Sequence, residues 1–348
     1  DRADSGGNSG GSKESISAFL KRKKESYIHK NQTAKEENTM VDMKSLLTMQ
    51  GMMFTMLLVG VFIRRKGIVT SEGRKSLTNL LVNLILPCNI LYAFSKSDTS
   101  AFGSMVIVII MSALIQLTWY ILSKFLWKNM DDSRRGIMRY AFQFANCGYL
   151  GNPVIEGLYG APGLVYASVF LLPVRIFMWS VGLECFQEGV GNFSKTLKRT
   201  ITHPCVLATI IGVVWMFFPQ AKLPDFLYNT INGFNQCLTP MTMLTIGFIM
   251  GETDMRRIFC RDLGVITVLR LGIQPLIVLG VCYLLHLEPL VAEVIIVLVS
   301  MPVANTTALL ASQHDCDYGF ASGLVVFTTL VSMVTIPVYG MLVGVVFA

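Results

Sequence analysis

The chain has 348 residues, 53% hydrophobic and only 15% charged, against roughly 25% charged in soluble globular domains. That composition is a polytopic membrane protein's, and a nucleic-acid surface is not needed to explain the net charge of +7. The eight Cys fall singly, with no CxxC and no metal-ligand spacing, which argues against a disulfide framework or a metal centre.

Residues 1–42 stand apart. DRADSGGNSGGS reads as a flexible linker, and the polar segment after it carries Lys21 to Lys24. There is no apolar run followed by a small-residue cleavage site, so this is read as a polar N-terminal extension or an appended remnant.

From Leu46 to Ala348 apolar runs recur almost without long polar gaps. A bilayer core takes about 20 residues per helix, and ten spans fit: 45–63, 74–95, 102–124, 136–159, 162–186, 201–218, 225–250, 262–285, 289–312 and 319–347. The loops after spans 1, 3, 5 and 7 hold sixteen Lys and Arg, among them Arg64, Arg74, Lys124, Arg134, Lys195, Lys198, Arg199, Arg256 and Arg257; the opposite loops hold only Lys96 and Lys222. Lys and Arg in short loops stay cytoplasmic. The expected topology is therefore a multi-pass protein of the cell membrane with both ends of the ten-span unit outside.

A repeat is written in the prolines. Pro87 in span 2 and Pro240 in span 7 are 153 residues apart, each preceded at four residues by an amide, Asn83 and Gln236. Pro153 and Pro302 are 149 apart, and Gly60 and Gly212 are 152 apart. Five spans per copy is an odd number, so the second copy enters the membrane from the opposite side. The expected fold is an all-α membrane protein of two inverted five-helix repeats, 43–199 and 200–348, with broken, crossing helices 4 and 9.

In those two helices breakers and polar groups coincide. NCGYLGNP in span 4 contains Asn146, Gly148, Gly151, Asn152 and Pro153, and SMPVANTT in span 9 contains Pro302, Asn305 and Thr306. An interior Pro costs about 3 kcal/mol, and freed backbone groups cannot face lipid, so each break must line a protein-walled cavity. Half-helix N-termini starting at Pro153 and Pro302 attract anions. Amide and hydroxyl side chains add donors there, while half-helix C-terminal carbonyls suit a cation.

Intramembrane charges need interior partners. Arg175 lies near the middle of span 5, either facing an anionic substrate or paired with Glu184. Arg270 reads as a snorkelling or pairing residue nearer the cytoplasmic end. Glu156 after the first break, and His314, Asp315 and Asp317 after the second, read as residues of an external mouth; these, and Glu293 near the start of span 9, are either solvated loop residues or proton carriers with pKa values shifted by partial burial. Asn83 and Gln236 either line the substrate path or join helices.

Asn146-Cys-Gly-Tyr-Leu-Gly-Asn-Pro-Val-Ile with its trailing Leu158-Tyr159-Gly160, and Ser300-Met-Pro-Val-Ala-Asn-Thr-Thr, resemble the two crossover motifs of the auxin efflux carrier family. The resemblance covers about Met43 to Ala348 and is to the bacterial-type members, because the loop from Gln187 to Thr200 is short. It implies the fold shared with sodium/bile acid symporters: a scaffold of spans 1, 2, 6 and 7, and a mobile core of spans 3–5 and 8–10. It also implies that Asn146, and less directly Asn305, contacts a substrate carboxylate.

The expected function is elevator-type secondary transport of a small organic anion, a mono- or dicarboxylate such as malate or malonate or an auxin-like acid. The alternative is a non-transporting receptor that binds a small acid in the same cavity. No HExxH, GxSxG or intraspan carboxylate pair points to an enzyme, and no GxxxxGKS points to ATP. The expected substrate contacts are Asn146, Gly148, Gly151, Asn152, Pro153, Pro302, Asn305, Thr306, Arg175, Asn83 and Gln236. No metal or cofactor is expected. H+ or Na+ is the expected coupling ion, and a homodimer through the scaffold the expected assembly.

Overall fold

The computed structural model describes residues 43–97, 99–186, 198, 201–218, 223–253 and 261–347. The N-terminal extension, Lys195, Arg199, Lys222, Arg256 and Arg257 lie outside the described residues. Helix α1 is Met43–Arg65, and α2 (Ser71–Leu80) runs through a π-helical turn at Leu81–Ile85 into α3 (Leu86–Ser95). Then come α4 (Phe102–Phe125), α5 (Asp132–Gln143), α6 (Asn152–Trp179), α7 (Pro204–Met216), α8 (Asp225–Gln236) and α9 (Leu238–Glu252). Helix α10 (Arg261–Thr267) passes through another π-helical turn (Val268–Ile273) into α11 (Gln274–Leu284), followed by α12 (Pro289–Val299), α13 (Thr306–Gln313) and α14 (Tyr318–Phe347). Among the described residues the architecture is all-helical, apart from one isolated β-bridge.

Among the described residues, five runs are long and apolar enough to cross a bilayer: Ser71–Ser95, Thr99–Phe125, Cys147–Cys185, Arg261–Leu284 and Tyr318–Phe347. Pro204–Met216 and Pro289–Val299 are shorter apolar helices. The run Cys147–Cys185 is kinked at Gly160, whose φ of 62° and ψ of −153° interrupt α6. A side chain there would strain the backbone, and Pro162 follows in the first turn beyond the kink, where its missing N–H costs nothing.

Two glycine contacts set the helix packing. Helix α1 lies on α9 through Gly60 and Gly247: a Cβ on Gly60 would fall 2.6 Å from the Leu244 carbonyl, and one on Gly247 would fall 2.3 Å from that of Leu57. Helix α7 lies on α3, where a Cβ on Gly212 would fall 2.4 Å from the Phe94 ring. Lipid offers little hydrophobic drive between helices, so such close backbone approach supplies the dispersion energy instead. The two glycines paired in the sequence, Gly60 and Gly212, thus each sit where one helix is closely approached by another. At the ends of these helices Glu252 ties the bundle together, accepting from Arg64 Nε at 2.8 Å and pairing with Arg74 Nε at 3.1 Å.

Apart from Glu293, helix α12 is apolar, and Val291, Val294, Ile295, Ile296, Val297 and Leu298 are all essentially inaccessible. A helix hydrophobic all round belongs at the centre of its bundle, and α12 packs there between α6, α11 and α14.

Candidate functional site

The chain breaks twice at the centre. Helix α5 ends at Gln143, Phe144 is extended (φ −114°, ψ 121°), and a π-helical turn at Cys147–Gly151 leads into α6. Helix α12 ends at Val299, and α13 starts at Thr306. The two extended stretches pair: the Asn146 N–H donates to the Pro302 carbonyl at 2.7 Å, and the Ala304 N–H to the Phe144 carbonyl at 3.1 Å. Ala145 faces Val303 in an antiparallel bridge. Each break therefore satisfies the backbone groups that the other exposes, which an apolar surround demands.

This corrects where the first helix breaks. The interruption is at Phe144–Asn146, and Pro153 sits in the first turn of α6, where proline is tolerated. Pro302 lies within its own break. Residue 145 faces residue 303, so the breaks are offset by 158 positions rather than the 149 that separate the prolines.

Behind the pairing, the Phe142 carbonyl at the end of α5 accepts from Arg270 Nη1 at 3.2 Å and Gln274 Nε2 at 2.9 Å. Arg270, which the sequence placed near a membrane end, is 2% exposed and also bonds the Gln274 side-chain oxygen. The π-helical turn at Val268–Ile273 places it there, and a cation at a helix C-terminus is favourable. Gly151 fits because a Cβ would lie 2.8 Å from Leu298 Cδ2.

In front of the pairing is a cavity of about 400 Å³, within the range of about 300–1,000 Å³ usual for small-molecule sites. Asn79 and Asn83 of the α2 segment, Asn146 and Gly148 of the first break, Arg175 of α6, and Asn305 and Thr306 of the second break line it. Asn146 Nδ2 and Arg175 Nη1 are buried donors with no partner among the described residues. No carboxylate there lies within ion-pairing distance of Arg175. Glu184, the partner in the alternative reading of Arg175, accepts instead from Tyr120 at 3.3 Å. A buried polar group without a partner costs about 1–3 kcal/mol, more when charged, and two such donors on one wall form an electropositive surface suited to an anion. His203 also lines the cavity, and its ring accepts from the Cys205 N–H at 3.3 Å as a helix cap.

The remaining expected contacts are spread around this cavity. Gly151, Asn152, Pro153 and Pro302 lie outside its lining. Asn152 is fully buried, with both side-chain polar atoms unpartnered. Asn83 lines the cavity while donating to the Asn79 carbonyl at 2.9 Å. Gln236 is exposed, and its neighbour Asn235 turns inward at 6% exposure. A smaller cavity of about 160 Å³ shares Thr78, Asn79, Tyr149, Asn305, Thr306 and Leu309 with the first and reaches Arg74 and Lys75. The site thus opens toward the basic ends of α1 and α2.

Asp317 pairs with Arg134 at 3.2 Å, and its N–H donates to Ser133. Glu156 is no solvated loop acid: it is half-buried and accepts from Asn89 Nδ2 at 3.0 Å.

Compared with known proteins, residues 52–340 match the family model for membrane transport proteins. The chain belongs to that family, the auxin efflux carriers. It is similar to an uncharacterized transporter of Methanothermobacter thermautotrophicus, 26% identical over 82% of this chain and 94% of that protein. An uncharacterized transporter of Methanocaldococcus jannaschii is 25% identical over the same shares. A protein of Rhizobium meliloti bearing the name "Putative malonate transporter" is 26% identical over 57% of this chain and 63% of its own length. The family and these relatives are transporters, not enzymes, and with its apolar helices the chain is a multi-pass membrane protein.

Proposed function

We propose that the protein is a secondary transporter of a small organic anion, with a dicarboxylate such as malonate or malate as the first candidate. One observation carries this: Asn146 Nδ2 and Arg175 Nη1, both buried and unpartnered, line the same cavity beside the paired breaks. The likeness to the Rhizobium protein supports the dicarboxylate class. Asn305, Thr306, Gly148 and Asn83 complete the contact set, while Gly151, Asn152, Pro153 and Pro302 hold the break rather than touch the anion.

In this reading the chain crosses ten times as two inverted five-helix repeats, 43–199 and 200–348, and α5/α6 and α12/α13 are the crossing broken pairs. The corresponding glycine contacts of α1 on α9 and α7 on α3 support the inversion. Helices α1–α3 and α7–α9 form the scaffold, against which the remaining helices slide as an elevator. The cavity opens on the side of Arg74 and Lys75, which the positive-inside rule makes cytoplasmic, so this is an inward-open state of a plasma-membrane protein. A homodimer through the scaffold belongs to the same reading. Between coupling ions, H+ is favoured over Na+ because the Arg270 guanidinium already occupies the carbonyl end of α5.

The test is counterflow in proteoliposomes with malonate, malate, lactate, an indole acid and a neutral sugar. Exchange of at least one carboxylate and none of the sugar supports the reading; no exchange of any anion under any gradient, with a carboxylate still bound, would hand it to a receptor.

A further inference from the structure

Beyond the blind end of the cavity lies a second polar cluster that the anion site does not use. Leu86 is the last cavity-lining residue of its helix, and Asn89 stands one turn further on. Asn89 is completely buried, and its Nδ2 donates both to Glu156 Oε2 at 3.0 Å and to Asn235 Oδ1 at 2.6 Å. The Asn235 side chain also lies close to the same carboxylate, joined to it through Asn89. Glu156 sits on the first half of α6, just past the break, while Asn89 and Asn235 belong to α3 and α8. A single carboxylate therefore clamps the broken-helix unit to two helices of the proposed scaffold, on the side away from the open mouth.

The surroundings single out this carboxylate. No Lys, Arg or His lies within ion-pairing distance of it among the described residues. Helix α3 presents Tyr92, which senses the Glu156 charge, and Lys96 just after α3 sits over the Tyr92 and Tyr228 rings, the latter on α8. Glu293 of α12 lies near Tyr159 of α6 itself. Helix α7 carries no charged side chain, and the only one on α4 is Lys124 at its far end. Hydrogen bonds to an ionised acceptor are roughly twice as strong as neutral ones, so the clamp holds when Glu156 is charged and weakens when it takes up a proton.

We infer that Glu156 is a proton-binding site that latches the far side of the pathway shut, and that its protonation releases the broken-helix unit from Asn89 and Asn235. The inference rests on the transport reading for its purpose but not for its test. The protein moves a proton onto a carboxylate oxygen there, and the Asn89 amide loses its charged acceptor. The difference between charged and neutral hydrogen bonds corresponds to roughly tenfold in the opening equilibrium.

Hydrogen–deuterium exchange on the full chain in nanodiscs reads the latch directly, without substrate. After correction for intrinsic rates, peptides over 152–159 and 226–236 should exchange about tenfold faster at about pH 5 than at about pH 8. Glu156→Gln, a neutral mimic of the acid, should exchange fast at both pH values. Asn235→Ser, which keeps the carboxylate and removes one amide, should shift exchange partway while retaining pH dependence. Wild-type-like protection of Glu156→Gln at high pH, or a pH response it retains in full, overturns the inference. Counterflow separates this from the transport reading: if no anion exchanges but the peptides respond as described, the proton latch stands and the transport reading falls.

Discussion

Replacing Arg175 with Gln separates an anion-binding role from a structural one, because the two predict opposite signs for stability. Arg175 is 7% exposed, its Nη1 has no partner, and no carboxylate lies within ion-pairing distance among the described residues. A hydrogen bond to a charged group contributes about 1.5–3 kcal/mol, so losing one should raise the Kd for malonate by roughly 10- to 150-fold. Truncating a residue of a buried ion pair is strongly destabilising because it strands the other charge. Here no described carboxylate is stranded, so the ligand-free variant should melt no lower than wild type. Isothermal titration with malonate and a melting curve, both in nanodiscs, measure the two effects. Affinity within about twofold of wild type, together with a lowered Tm, would refute direct anion contact and reassign Arg175 to the packing of α6.

Three further outcomes follow from individual contacts. Asn146→Ala should weaken malonate binding by about tenfold without lowering Tm, because the bonds that hold the break use the Asn146 backbone while its Nδ2 is unpartnered. Gly247→Leu should abolish the monodisperse peak in detergent size-exclusion chromatography, since even its Cβ would fall 2.3 Å from the Leu57 carbonyl. Glu252→Gln should destabilise the protein by about 2–3 kcal/mol, read as a lower Tm, because Arg64 and Arg74 both lose the negative charge they share and one of its two acceptor oxygens becomes an amide donor.

The paired breaks were legible because breakers cannot be hidden in a membrane helix. Pro clustered with Asn at two places, joined by Gly at the first, and pointed to a cavity between them. What the prolines could not give was the register. Pro153 is the second residue of α6 and terminates nothing; the chain leaves helical geometry at Phe144, an aromatic residue with no local breaking signal. The π-helical turns misled in the same way. At Leu81–Ile85 and Val268–Ile273 the chain winds by i→i+5, so the positions beyond each turn face elsewhere than a 3.6 period predicts. Arg270, inside the second of these turns, is buried in the core; the buried amide beyond the first is Asn89, while Asn83 inside it lines the cavity. Asn235 and Gln236 are neighbours about 100° apart on the helix, and sequence symmetry chose the outward one. Glu156 was recognisable as an acid after the break, but the two amides beside it lie 67 and 79 positions away and carry no local signal.

The carbonyl end of α5 gives the last test. Freed carbonyls at such an end attract a cation, and in this protein the cation is covalently part of the chain: Arg270 Nη1 and Gln274 Nε2 both bond the Phe142 oxygen. A guanidinium held there repels a second positive charge at close range, by about 4 kcal/mol at 4 Å with an effective dielectric of 20. Anion exchange by the wild-type protein should therefore be indifferent to replacing Na+ with choline at fixed ionic strength. Arg270→Met removes that charge and leaves one donor on the Phe142 carbonyl, so exchange should slow even where the variant still folds, and any dependence on Na+ should appear in the variant alone. Na+-stimulated exchange in the wild type would contradict the assignment and require a cation site elsewhere, leaving Arg270 with only its bonds to Phe142 and Gln274.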